Sequence, residues 1–138
     1  MPAADMRLDF VSMSETFYMT NMSPQHLAFN RGAWRSLEHG IRKMVIEHGP
    51  AFVVTAPLLE PHLKRLKSHV AVPEFFYKIA YFPEAEFMVA FLMPNTNSKG
   101  LSYHEKSVSV DELEELTGID FFADLPDKLE SRLEEKVY

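Results

Sequence analysis

The residues best suited to chemistry in this 138-residue sequence sit close together, between Asn21 and Arg42 (NMSPQHLAFNRGAWRSLEHGIR). A carboxamide at Asn30, a carboxylate at Glu38 and a guanidinium at Arg42 follow one another, with Trp34 between the first two. At about 100° per residue a four-residue helical step drifts only about 40°, so Asn30, Trp34, Glu38 and Arg42 would form a slanted stripe. Spacing alone favours a local reading of that stripe. Asn30 caps a helix N-terminus, and Glu38 with Arg42 makes a surface pair worth tenths of a kcal/mol. Arg31 and Arg35 are four apart and share a helix face. Of the six histidines, His26 lies in the loop before Asn30, and His39 is rotated about 100° from Glu38 and points away from it. His48, His62, His69 and His104 have no supporting motif and read as surface residues. The absence of cysteine excludes disulfides, thiolate metal sites and cysteine nucleophiles.

The stripe needs a helix, and the pattern supplies one. Trp34, Leu37, Ile41, Met44 and Val45 recur at three- and four-residue steps, which predicts a helix over Asn30–His48, about 28 Å long. Gly49-Pro50 ends it. Before it, Phe10–Thr20 is rich in aromatic and β-favouring residues and predicts a short strand near Thr16–Thr20, followed by a loop at Asn21–Pro24. After it, Ala51–Leu59 reads as a buried strand and Glu60–His69 as a loop. Glu74–Phe82 and Glu86–Met93 read as a hairpin turning at Pro83-Glu84-Ala85, with a loop over Pro94–Ser102. Ser109, with Glu112 three residues on, forms a capping-box pattern that opens a helix running to Glu115 or Leu116 before Gly118. A terminal helix over Leu125–Lys136 carries Leu125, Leu129, Leu133 and Val137 as a packing stripe. Together these elements predict an α+β domain, a mainly antiparallel sheet with one long helix on a face.

Composition is that of one globular domain: 46% hydrophobic and 25% charged residues. Charge is unevenly placed. Residues 1–70 hold eight Lys/Arg and six Asp/Glu, a balance of +2, whereas residues 71–138 hold six and fourteen, a balance of −8. A polyanion would therefore meet the first half, and the acidic second half reads as a solvated helical surface. No apolar run approaches a membrane span, and the N-terminus has no signal-peptide pattern. The compartment is not fixed by these features.

The order of residues carries more than their spacing. Pro2-Ala3-Ala4-Asp5-Met6, Met13–Tyr18 (MSETFY), Asn21–Gln25 (NMSPQ), Phe29–Trp34 (FNRGAW) and Leu37-Glu38 follow in series. Downstream come Phe52–Pro57, Val72-Pro73, Phe76–Lys78, Ala90–Leu92, Pro94-Asn95 and the stretch from Asp111 to Phe122. In order and spacing this resembles the DNA/RNA non-specific endonuclease family, the ββα-metal or His-Me finger group that includes endonuclease G. The likeness covers nearly the whole chain, so 1–138 is expected to be a single domain, the C-terminal portion of the family domain.

The resemblance implies a site. Asn30 matches the family residue that holds one divalent cation through its side-chain oxygen, Mg²⁺ or another such as Mn²⁺, with water and phosphate completing the shell. Glu38 matches a carboxylate that orients the metal's waters, Arg42 an Arg that meets the scissile phosphate, and Asn21 a loop Asn near the site. Arg31, Arg35, Arg42 and Lys43 would contact the backbone of DNA and RNA; for Arg31 and Arg35 a solvated surface explains the charges equally well. Trp34 is core in this reading. The family's general base is the His of an Asp-Arg-Gly-His motif just before Pro-Ala-Ala-Asp, and that motif does not occur in this sequence. The expectation is an N-terminally truncated family domain with an unpaired sheet edge. Its implied activity is Mg²⁺-dependent hydrolysis of phosphodiester bonds in DNA and RNA. The alternatives are a catalytically inactive metal- or nucleic-acid-binding remnant, and a protein-binding adaptor resting only on the acidic half. A homodimer and a secreted or periplasmic full-length form both remain open.

Overall fold

Two aromatic-rich stretches form the centre of the sheet in a computed structural model that describes residues 9–18, 21–97 and 100–138. β2 (Phe75–Phe82) and β3 (Phe87–Pro94) pair antiparallel from Phe82↔Phe87 to Phe75↔Pro94, as the hairpin reading expects. β1 (Phe52–Leu58) pairs with β2, and β4 (Ser107–Val108) with β3, giving an antiparallel sheet in the order β1-β2-β3-β4. Side chains alternate across it. Phe76, Ala80, Phe82, Val89, Phe91 and Met93 face one core, while Tyr77, Ile79, Tyr81, Met88 and Ala90 face a second.

Helices cover both faces. On the first, Leu37, Ile41 and Met44 of α3 (Arg35–His48) pack with Phe29 and Trp34 from the preceding turns. On the second, Val110 and Leu113 of α4 (Val110–Thr117) and Leu133 of α5 (Asp127–Glu134) pack with Phe121. The arrangement is α+β. Ser109 caps α4 as expected, its hydroxyl oxygen accepting from the Glu112 N–H at 3.1 Å. Gly118 ends α4 at φ 68°, a conformation that favours glycine. Gly49 does the same for α3 at φ 88°.

Several expectations are corrected. The first concerns Thr16–Thr20. α1 (Phe10–Glu15) is helical, opened by Asp9 carboxylate oxygens that accept from the Val11 and Ser12 N–H groups, and Thr16–Tyr18 continue as a turn rather than a strand. Met19 and Thr20, like the Pro2–Met6 motif, lie outside the described residues. β1 is not a buried strand but an edge, with Phe52 64% exposed, and this accounts for a proline being tolerated at Pro57. α5 is shorter than Leu125–Lys136. Pro126 stands at its N-cap, and Val137, 63% exposed, leaves the apolar stripe. Leu125 and Leu129 still pack against the second core. Nor is the acidic half wholly solvated, since Glu134 is 4% exposed.

The helix of the stripe also differs. It begins with α2 (Leu27–Phe29), passes through a π-helical stretch at Asn30–Trp34, and only then becomes α3. Gly32, at φ −106° and ψ −108°, departs from helical geometry within the stretch. The packing supplies a reason. Phe29 and Trp34 are five apart, which on an α-helix separates them by about 140°. An i→i+5 wind brings such residues onto one face. Both are buried, with ring centroids 5.4 Å apart, and each also meets Phe76, at 5.9 and 5.7 Å. Asn30 is not the N-cap of this helical run. It is exposed, and the cap is His26.

Candidate functional site

Asn30 sits at the mouth of the π-helical stretch, where its own packing does not fix it. Its side chain is held by a neighbour: Nδ2 donates to Oε1 of Gln25. That bond commits the nitrogen side of the amide and leaves its acceptor, Oδ1, for another partner. Gln25 belongs to the loop of residues 21–26, and that loop is tied to the sheet from far away in sequence. Asn95, just past β3, accepts from the His26 N–H through Oδ1 at 2.7 Å. Its Nδ2 donates to the Pro24 carbonyl at 3.1 Å and the Pro73 carbonyl at 2.8 Å. One carboxamide thus joins the loop that orients Asn30 to the end of the hairpin.

Glu38 and Arg42 lie one turn apart on α3, both half-buried, so the structure keeps them on a common face. Arg31, Arg35 and Lys43 are exposed along the same helical run. Asn21 is exposed at the other end of the loop, where its Nδ2 donates to the Thr16 carbonyl at 2.8 Å and closes the turn after α1. His26 has a structural task, since its Nδ1 accepts from the Ala28 N–H at 3.3 Å. That contact makes His26 the N-cap of α2. His39 is exposed, and His48 packs its ring against Phe82 and Phe87.

Beneath the helix lies a buried cation. Lys78 of β2 is 3% exposed, donates from Nζ to the Thr55 hydroxyl at 2.5 Å, and stands 5.0 Å from the Trp34 ring centre. Alternation along FFYKIAYF places Lys78 on the face of Phe76 and Ala80, a signal the sequence carried and its reading did not use. Asn95 had no such signal, because its partners are distant in the chain. Acidic groups gather elsewhere: Asp111, Glu114 and Glu134 converge on the other face of the sheet.

An open antiparallel sheet with a long helix packed on one face is an α+β arrangement consistent with a ββα-metal fold. The sequence relationship agrees. The model of the DNA/RNA non-specific endonuclease family matches residues 1–128, and the chain belongs to that family. It is 32% identical to the nuclease of Serratia marcescens over 128 residues, which covers 86% of this chain and 48% of that protein. It is 31% identical to mitochondrial endonuclease G of Caenorhabditis elegans, over 91% of this chain and 46% of that protein. Among solved structures, one from an EndoG/EndoGI complex superposes with a TM-score of 0.80 at 31% identity, covering 92% of this chain and 58% of that one. The chain spans about half the length of the curated relatives it matches. Among the described residues, no helix is long and apolar enough to cross a membrane.

Proposed function

We propose that this chain carries the cation- and phosphate-binding side of a nuclease that hydrolyses phosphodiester bonds in DNA and RNA. The observation that carries the reading is Asn30: an exposed carboxamide, turned by Gln25 so that its oxygen is the atom left to bind, at the start of the helix that bears Glu38 and Arg42. A single neutral oxygen fits a Mg²⁺ or Mn²⁺ ion, which keeps most of its waters and takes the rest of its shell from phosphate. Such an ion supplies charge stabilisation to the departing oxygen.

The chain's own residues do the rest. Asn30 fixes where the cation stands, and Gln25 fixes Asn30. Glu38 would orient the waters of a cation held at Asn30, and Arg42 would offer a planar fork to the phosphate. Arg31, Arg35 and Lys43 meet neighbouring phosphates without reading bases, which suits a substrate range of both DNA and RNA. Asn21 closes the far end of the loop that holds Gln25. The attacking water needs a base within hydrogen-bond reach. None of the six histidines stands in an Asp-Arg-Gly-His motif, and His26 is engaged as a cap. The reading therefore assigns the base to residues outside these 138. Two cores built on one sheet support taking 1–138 as a single domain.

Nicking of supercoiled plasmid and cleavage of RNA, with Mg²⁺ and with chelator, test this on the protein expressed from its full reading frame. The expected result is cation-dependent cleavage of both substrates that Asn30→Ala reduces at least 100-fold. A full-frame protein that binds plasmid but leaves it intact would favour the inactive binding remnant. Cleavage by the 138 residues alone would overturn the assignment of the base.

A further inference from the structure

The sheet face turned away from Asn30 carries a second set of oxygen ligands. α4 and α5 pack there through Val110, Leu113 and Leu133. Asp111 and Glu114 of α4 and Glu134 of α5 each bring one carboxylate oxygen within 4.8 Å of the other two. Exposed acidic groups cluster on many proteins without a ligand; burial sets this group apart. Glu134 is 4% exposed, and its Oε1 is out of contact with solvent and has no hydrogen-bond partner. A buried carboxylate oxygen in this condition has lost its water and received nothing in return. Glu130, one turn earlier on α5, also has a buried and unpartnered Oε1. Arg132, the basic residue between them, reaches away to Glu86 instead.

We infer that Asp111, Glu114 and Glu134 bind a hard divalent cation that fastens α5 to α4, at a site separate from Asn30. The chemistry is specific in kind. The three ligands are all carboxylate oxygens, which suit Ca²⁺, Mg²⁺ or Mn²⁺ over the softer metals. Oxygens around such an ion, with bonds of about 2.0–2.6 Å, stand at most about 5 Å apart, and the observed grouping falls inside that limit. The three differ usefully in setting. Glu114 is anchored, its Oε1 accepting from the Phe121 N–H at 2.6 Å. Glu134 is buried, and Asp111 is exposed, so the site has a wall, an anchor and an open side for the ion and its remaining waters. The ion offsets a repulsion that the protein otherwise carries in its own fold, and it does so where the last helix docks.

Thermal melts of the 138-residue chain near pH 7.5 test this without nucleic acid, so the outcome is independent of whether the nuclease reading holds. The protein is first stripped with EDTA, then given millimolar Ca²⁺, Mg²⁺ or Mn²⁺ in turn. A rise in Tm of about 5 °C with at least one cation is expected. That rise persists in Asn30→Ala and vanishes in Glu134→Gln. Because position 134 is buried, Asp111→Asn at the exposed side provides a second arm: calorimetric titration of the same cation should lose most of its binding heat in this variant while the melt stays cooperative. No rise with any of the three ions, or a rise and a binding heat that survive both substitutions, overturns the inference.

Discussion

Asn30 donates from Nδ2 to Oε1 of Gln25, and in the proposed reading Asn30 binds the cation while Gln25 turns its amide. If Gln25 acts only by turning the amide, Gln25→Ala should lower cleavage by about 10- to 100-fold through weaker cation affinity, the usual scale for a residue that orients a ligand. Raising Mg²⁺ should recover much of that loss, whereas Asn30→Ala should respond little; a cation titration of initial rates separates the two. Asn95 acts one step further out. Its three side-chain hydrogen bonds close the loop of residues 21–26 onto the ends of β2 and β3. Asn95→Ala leaves the His26 N–H and two carbonyls without these partners, and a loss of about 1–3 kcal/mol in urea unfolding is expected. The residue motif Asn-x-x-Pro-Gln was visible in the sequence, but what Gln25 does was not, because its bond to Asn30 depends on a loop whose anchor lies 69 residues from His26.

At the scale of elements, α3 meets the turn at Tyr103–Lys106 with almost no room. A Cβ added at Gly40 would collide with Oη of Tyr103 and stand 2.8 Å from its Cζ, and the Tyr103 ring packs edge-on to Phe91 at 5.7 Å. Helix propensity favours Gly40→Ala by up to about 1 kcal/mol, since the position lies inside a helix. The contact opposes it, because the whole ring must move off Phe91. We expect a net loss of about 1–2 kcal/mol. In the background of Tyr103→Ala the same substitution should become neutral or stabilising, and a double-mutant cycle on unfolding free energies reads the change of sign. The elements themselves were unequally legible. The hairpin and α4 announce their ends through Pro83, Ser109 and Gly118, residues whose backbone constraints are local. β4 is two residues long, too short for any period to show. α1 buries no residue and rests on the Asp9 cap, so no apolar stripe could mark it. The π-helical stretch escaped because a 100° step presumes the α wind, and the force that breaks it, the joint burial of Phe29 and Trp34 against Phe76, is tertiary.

Across the whole molecule, the sheet separates two kinds of charge. The helical run with Arg31, Arg35, Arg42 and Lys43 covers one face, and the acidic helices α4 and α5 cover the other. In the proposed reading a polyanion would be steered to the first side and repelled by the second. The cost of that division falls on α5. Burial, and then repulsion from Glu114, Glu130, Asp111 and Asp120, pushes the Glu134 carboxyl up to about 7 from an ordinary 4.5. Asp111 and Glu114 act from α4, Glu130 from α5 itself and Asp120 from the connection between them; β3, also packed against α5, contributes no charged side chain. The folded protein therefore holds a proton at Glu134 that the unfolded chain releases between pH 4.5 and 7. Where the native state binds more protons, stability falls as pH rises. With chelator present, the contribution of Glu134 is thus full below pH 4.5 and is lost as pH climbs through 7, so the melting temperature should decline across that window. Glu134→Gln keeps the shape and removes the titration. Its melting curve should be flatter from pH 5 to 7.5, and at the upper end it should unfold at a higher temperature than the metal-free parent. A parent whose stability instead rises through that window would show that Glu134 is ionised and paired in the folded state.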